Sequence, residues 1–204
     1  MTLGQWYARV TTVVVVRSPR LWRLFRGRLT RGFDQLAGEW ETTRASPSRL
    51  DALIAALDGL DATPQRILDL GTGGGAVARL VAERWPEASV DAVDVSPGMI
   101  DEARSRATSD RESYVVADAS ALPFEDGTFD LVALNNMIPF FDELARVTKP
   151  GGSAAIAYSR GASTPIWVPL DRVRRELAAR QFTHFADFSA GEGRSLLARK
   201  ADRS

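Results

Sequence analysis

The chain has no cysteine and a single histidine, His184, within 204 residues. That excludes a disulfide scaffold, a cysteine-built zinc site and a histidine-rich metal centre, so no metal site is expected. Long apolar runs are missing too. Val13 to Val16 is the longest valine stretch, far short of the ~20 residues that span a bilayer. Gln5, Arg9 and Thr11 interrupt the start, and no small-residue cleavage site follows, so a soluble cytoplasmic chain is expected. Lysine is nearly absent: of 26 basic residues only Lys149 and Lys200 are not arginine. A bias that uniform argues against reading each arginine as an anion ligand.

Basic and acidic residues balance at 26 each, yet they are unevenly placed. Arg9, Arg17, Arg20, Arg23, Arg26, Arg28 and Arg31 fall within residues 1–32, which contain no acid, so this stretch carries +7 and the remainder −7. A local basic arm is implied, not a nucleic-acid-binding protein. Leu21, Leu24, Phe25, Leu29, Phe33 and Leu36 recur at helical spacing along it, with Arg20, Arg23 and Arg31 off the stripe. Ser46-Pro47 reads as an N-cap with proline at the first helical position, Leu50, Leu53, Ile54 and Leu57 give an apolar face, and Gly59 is the stop. Residues 1–60 therefore read as a helical arm or lid, and 61–204 as a second unit.

In that second unit short apolar runs alternate with helix-period segments. Strands are expected at Arg66–Leu70, Ser89–Val95, Ser113–Ala117, Phe129–Leu134 and Ser153–Ser159, with helices near 75–85, 97–107, 139–148 and 169–180. Such alternation builds βαβ units, hence an α/β fold with a parallel sheet and helices on both faces. Two further runs, Phe182–Phe188 and Gly193–Lys200, are separated by too few residues for a crossover and should pair antiparallel.

The sharpest local feature is Ile67-Leu68-Asp69-Leu70 running into Gly71-Thr72-Gly73-Gly74-Gly75 and then a helix. Glycines let a ligand approach the backbone, and the helix start offers unpaired N–H groups, which suits an adenosine-containing cofactor. Two fingerprints fit: Gly71-x-Gly73-x-x-Ala76 for a dinucleotide, and Asp69-x-Gly71-x-Gly73-x-Gly75. Asp69 favours a cationic amino group over a pyrophosphate. Asp94, at the end of the second strand, can accept from both ribose hydroxyls of either cofactor, and Ser96-Pro97 caps the next helix. Asp118, ending the third strand, can accept from an adenine amino group.

Asp69 to Gly75, Asp91 to Met99, Val116 to Phe124, Gly127 to Leu131 and Arg146 to Gly152 follow in series. That succession resembles the class I S-adenosylmethionine-dependent methyltransferases, in the branch typified by small-molecule and quinone C-methyltransferases, over about residues 63–160. The resemblance implies a Rossmann-like seven-stranded sheet of order 3-2-1-4-5-7-6 with only strand 7 antiparallel. It implies S-adenosyl-L-methionine as cofactor and methyl transfer to a small organic acceptor. Gly71, Thr72, Gly73 and Gly75 would face its methionine and ribose part, Asp69 its amino-acid end, and Asp94 the ribose. Val95 and Met99 would lie beside the adenine, Asp118 and Ala119 would meet the ring, and Asn135 would lie near the sulfonium and the acceptor.

No general base is identified; Asn135 is the nearest catalytic candidate, and His184 reads as structural among Phe182, Phe185 and Phe188. Asn135 to Phe140 only loosely resembles the Asn-Pro-Pro-aromatic signature of DNA amino methylation, and paired histidines carried by some relatives are replaced by Met137 and Ile138. With little chain between strands five and six, the acceptor pocket is expected to be walled by Trp6, Tyr7, Trp22, Phe25, Phe33 and Trp40, with Arg160 and Trp167 at the rim. The arm also permits a membrane-surface reading, arginines on headgroups with Trp22 and Phe25 inserted. The preferred alternative is a helix docked on the domain with a solvated arginine face. A nicotinamide-dependent oxidoreductase and an inactive cofactor-binding partner are the competing functions; a Tyr-x-x-x-Lys pair for hydride chemistry is missing.

Overall fold

The computed structural model describes residues 3–39 and 47–202. The expected Trp40 wall residue and the Ser46 cap lie outside them. Seven strands form one sheet of order β3-β2-β1-β4-β5-β7-β6: β1 Arg66–Leu70, β2 Ser89–Asp94, β3 Glu112–Val116, β4 Phe129–Asn135, β5 Thr148–Tyr158, β6 Phe182–Ala190 and β7 Gly193–Lys200. Pairing is parallel from β3 through β5, while β7 runs antiparallel to both β5 and β6. The Rossmann-like order implied by the resemblance is the order observed.

Seven α-helices lie among the described residues: α1 Leu3–Arg17, α2 Trp22–Leu36, α3 Asp51–Asp58, α4 Ala76–Arg84, α5 Pro97–Ser105, α6 Phe141–Val147 and α7 Leu170–Ala178. Alternation along the central strands sends side chains to two separate cores, as a sheet covered on both faces requires. Leu68, Leu70, Val132, Leu134, Ile156 and Tyr158 pack beneath α6, α7 and the buried valines of α1. Ile67, Leu131, Ala133, Ala155 and Ala157 pack with residues of α3, α4 and α5 on the other face. Asp69 and Asn135 fall in phase with Ile67 and Leu131, so both project to this second face.

The N-terminal residues differ from the expected pattern in three ways. The helix expected from Pro47 begins at Asp51, after a 3-10 turn over Pro47–Arg49, and Leu50 is its cap without a side-chain bond. α3 packs on the sheet itself: the Ser195 hydroxyl donates to the Ala52 carbonyl at 2.5 Å, and Gly193 lies directly under Ala52. The stripe on α2 is also rotated. Leu24 is 75% exposed and Leu21 and Leu36 are 40% and 43% exposed, whereas Trp22 is buried and Phe25, Leu29 and Phe33 pack inward. Trp22 sets that phase, because its indole reaches a specific acceptor on the domain.

Candidate functional site

β1 delivers its chain into a loop of three left-handed glycines, Gly71 (φ 80°), Gly73 (φ 54°) and Gly75 (φ 82°), conformations that cost other residues steric strain. The loop is pinned to β2: the amides of Gly71 and Thr72 both donate to the Val93 carbonyl at 2.9 Å. Gly73 N donates to Asp94 Oδ2 at 3.0 Å, and the other Asp94 oxygen accepts from Ser96 N at 3.0 Å. A side chain on Gly75 would come within 3.0–3.2 Å of Arg79, Ala103 and Tyr114, so tight packing adds to its left-handed φ in favouring glycine there.

Asp69 is 1% exposed, and neither carboxylate oxygen has a hydrogen-bond partner among the described residues. Burial is the main cause that pushes its pKa up to about 7; Asp94 adds to this, while Thr72, the Ala78 amide and Arg79 oppose it without reaching bonding geometry. The Thr72 hydroxyl and Asn135 Oδ1 are likewise buried without partners, and Asn135 Nδ2 makes only a long 3.5 Å contact to the Arg49 carbonyl. Burial raises the Asp94 pKa too, against the amide bonds from Ser96, Gly73 and Val95. Buried groups left this way normally have a partner that completes them. The set asks for a cation at Asp69 and for donors at Asn135.

The β4 exit supplies a residue that the sequence reading passed over. Asn136 adopts a left-handed conformation (φ 56°), held by a bond from Ser159 N to its side-chain oxygen at 2.9 Å and from its amide to Ser159 Oγ at 3.0 Å. This turn folds Met137 back over the glycine loop, where a Cβ on Gly71 would stand 2.7 Å from the Met137 sulfur. Two successive asparagines after a strand are the one signal that could have flagged it, since asparagine tolerates the left-handed region.

Helices α1 and α2 cover the carboxyl ends of the strands. The Trp22 indole N–H donates to Asp118 Oδ1 at 2.9 Å and Arg26 pairs with Oδ2 at 3.0 Å. Ser120 adds two more bonds to Oδ1. Partial burial works to raise the Asp118 pKa, but these donors outweigh it and hold it below the usual carboxylate value. On the same helix Asp34 accepts from Ser96 Oγ and from Gly98 N, bracing the α5 N-terminus, where Ser96 caps by accepting from Met99 N and Pro97 follows as expected. Met99 is buried beneath Ala37 and Phe33. α1 reaches the β5 side, with Arg9 donating to the Ala162 carbonyl and the Val16 carbonyl accepting from Arg172.

The expected site residues therefore gather at one end of the sheet: Asp69, Gly71, Thr72, Gly73, Asp94, Val95, Asp118, Ala119 and Asn135 all follow or end β1 to β4. Other members of the expected wall divide. Trp22 is enclosed, with its ring edge-on to Phe140 at 5.5 Å, and Trp167 packs edge-on to Tyr158 at 5.0 Å. Trp6 is 51% exposed and Arg160 is exposed, while Tyr7 lies tilted against Phe25 at 6.1 Å. His184 sits exposed near the start of β6, not packed among its phenylalanine neighbours, and lines a groove of about 450 Å³ at the opposite end of the sheet with Asp130, Gly151 and Arg199.

Residues 67–152 match a family described as a methyltransferase domain. The chain is 35% identical over 136 residues to a malonyl-[acyl-carrier protein] O-methyltransferase of Halorhodospira halophila, covering 62% of this chain and 46% of that protein. It is 36% identical over 150 residues to a demethylmenaquinone methyltransferase of Beutenbergia cavernae, covering 68% of this chain and 60% of that one. Across such curated relatives the chain spans about half of their length. In fold it resembles an S-adenosylmethionine-dependent methyltransferase of Aquifex aeolicus, with a TM-score of 0.63, 21% identity, and coverage of 76% of this chain and 93% of that one.

Proposed function

We propose that the chain, which belongs to the class I S-adenosylmethionine-dependent methyltransferases, moves a methyl group by in-line displacement to a small organic acceptor. The observation that carries this reading is the buried Asp69 carboxyl with two unpartnered oxygens beside the left-handed glycines. A pyrophosphate at that position would meet a second negative group in an apolar face; the α-amino group of S-adenosylmethionine would meet its counter-charge. The residues thus fit this cofactor and not a nicotinamide dinucleotide.

Asp69 would hold the amino-acid end, the Gly71–Gly73 turn would give backbone clearance, and Asp94 would take the ribose hydroxyls with lone pairs left by Gly73 and Ser96. Val95, Met99, Asp118 and Ala119 would surround the adenine, with Arg26 yielding its place on Asp118 Oδ2. When bound, S-adenosylmethionine supplies an electrophilic methyl on a sulfonium and a thioether leaving group. The protein's own work is alignment and exclusion of water. Asn135 stands at the end of β4 with a free carbonyl oxygen, positioned to orient an acceptor by accepting a hydrogen bond. His184 lies at the far end of the sheet, so the one imidazole of the chain does not serve this site. An acceptor that ionises readily, such as a hydroquinone or an acidic carbon or oxygen, needs no base here. The two named relatives are a demethylmenaquinone methyltransferase and a malonyl-[acyl-carrier protein] O-methyltransferase, which supports a quinone or a carboxylic acid as the acceptor to test first.

Parallel calorimetric titrations with S-adenosylhomocysteine and NAD test the cofactor. Turnover on a panel of phenols, quinones and carboxylic acids then tests the acceptor class.

A further inference from the structure

Among the described residues nothing covers the outward face of α2. Opposite the buried Trp22 and the half-buried Phe25, Leu29 and Phe33, the helix and the turn before it present Arg20, Arg23, Leu24, Arg28 and Arg31. Leu24 is the most exposed large apolar residue of the described chain at 75%, and Leu21 beside it is 40% exposed. α1 carries a second outward stripe at helical spacing, Trp6, Val13 and Arg17, with Trp6 51% and Val13 45% exposed. Most of this charge is left without a counter-charge. The first acid in the sequence is Asp34, and it accepts from Ser96 and Gly98. Arg26 is paired with Asp118, Arg9 with the Ala162 carbonyl, and Arg28 lies over the Tyr7 ring. Arg17, Arg20, Arg23 and Arg31 have no ion-pair partner among the described residues.

We propose that this outer face docks on an anionic lipid bilayer, the arginines on headgroup phosphates and Leu24 and Leu21 entering the acyl boundary. The residues that insert are thus the exposed leucines; Trp22 and Phe25 are packed inward on the domain and are not available. Charge complementarity supplies the attraction, and an isolated leucine amid four arginines suits a surface that is anionic outside and apolar beneath. A nucleic acid would match the charge but leave Leu24 and Leu21 in water, and the outward face of α2 itself carries no aromatic ring for base stacking. Because the inner face of the same helix covers Asp118 and the head of α5, docking sets the mouth of the candidate site against the headgroups. The corollary that the methyl acceptor is lipid-soluble rests on the function proposed above; the docking itself does not.

Sedimentation with phosphatidylcholine vesicles, with and without roughly one-third phosphatidylglycerol, tests this on the full chain. Binding to the anionic vesicles and little to the neutral ones is expected. Each arginine is worth about fivefold in partitioning, so the combined Arg20→Gln, Arg23→Gln and Arg31→Gln substitution should weaken it by on the order of a hundredfold. Leu24→Ser should weaken it severalfold. Circular dichroism and S-adenosylhomocysteine titration of each variant should match the parent, which separates a lost surface from a lost fold or a lost cofactor site. No binding to anionic vesicles, or equal binding by the triple variant, overturns the proposal. So does a duplex DNA competitor that binds more tightly than the vesicles and is indifferent to Leu24→Ser.

Discussion

Replacing Asp69 with asparagine should stabilise the ligand-free protein at alkaline pH while crippling its cofactor site. Burial without partners moves this carboxyl from 3.8 to about 7. At pH 8 both folded and unfolded chains carry it ionised, and the difference in pKa costs the folded state about 4 kcal/mol. The sign follows from proton counting. Between pH 3.8 and 7 the folded state holds the proton and the unfolded state has lost it, so stability falls as pH rises through that window and levels off above it. Asparagine removes the charge but leaves a buried amide short of partners, a cost of about 1–3 kcal/mol. The net gain at pH 8 is about 2 kcal/mol, or about 5 °C in Tm for a chain of this size. Near pH 5 the two terms nearly cancel. Thermal melts of both proteins at pH 5 and pH 8 read this directly, and S-adenosylhomocysteine affinity should drop in the variant at either pH. A variant less stable than the parent at pH 8, or one whose advantage is the same at pH 5, would refute the argument that Asp69 is an unpaired buried acid.

Four further outcomes are expected. S-adenosylhomocysteine binding to the parent should weaken about tenfold per pH unit below 7, because Asp69 must lose its proton to meet an ammonium group, with calorimetry in two buffers revealing proton release. Met137→Ala should tighten that ligand severalfold by clearing the space over Gly71, measured by the same titration. Trp22→Phe keeps the ring against Phe140 but loses a bond to a charged acceptor, so urea unfolding should show a loss of about 1.5–3 kcal/mol. Arg146→Ala frees Glu143, Asp126 and the Leu122 and Phe124 carbonyls and should cost about 2–4 kcal/mol at pH 7. Burial works to raise the Glu143 pKa, but Arg146 and the Leu122 amide lower it overall; the contribution is present above the unfolded value of 4.5 and fades as pH falls below it.

Strand-forming residues announced themselves where apolar runs were bounded by turn residues. Arg66–Leu70 and Gly193–Lys200 have the expected limits in the structure, and the observed sheet order is the one implied by the family resemblance that the five motifs carry. β5 begins earlier than expected because Thr148 still pairs with Phe129 across a register shift, which lets the proline and glycines of 150–152 remain in the strand. The arm was harder to read. Counting leucines placed its stripe on the wrong phase, since the orientation of α2 is fixed by Trp22 and Arg26 reaching Asp118 over 90 residues away, a pairing no local pattern encodes. The placement of Met137 over the glycine loop is not legible for a similar reason: it depends on a left-handed Asn136 held by Ser159 at the end of a neighbouring strand. Asp69 was legible as a site residue from spacing, yet its unpartnered state, which carries the functional argument, arises only from packing of the apolar face around it.

We propose that the glycine loop, Asp69 and Asp94 form a seat for S-adenosylmethionine. Isothermal titration of the purified chain with S-adenosylhomocysteine and, separately, NAD addresses it most directly. Saturable one-to-one binding of the nucleoside, lost on Asp94→Ala, with no heat from NAD, is the result predicted. Binding of NAD, or a response to neither compound, would contradict it.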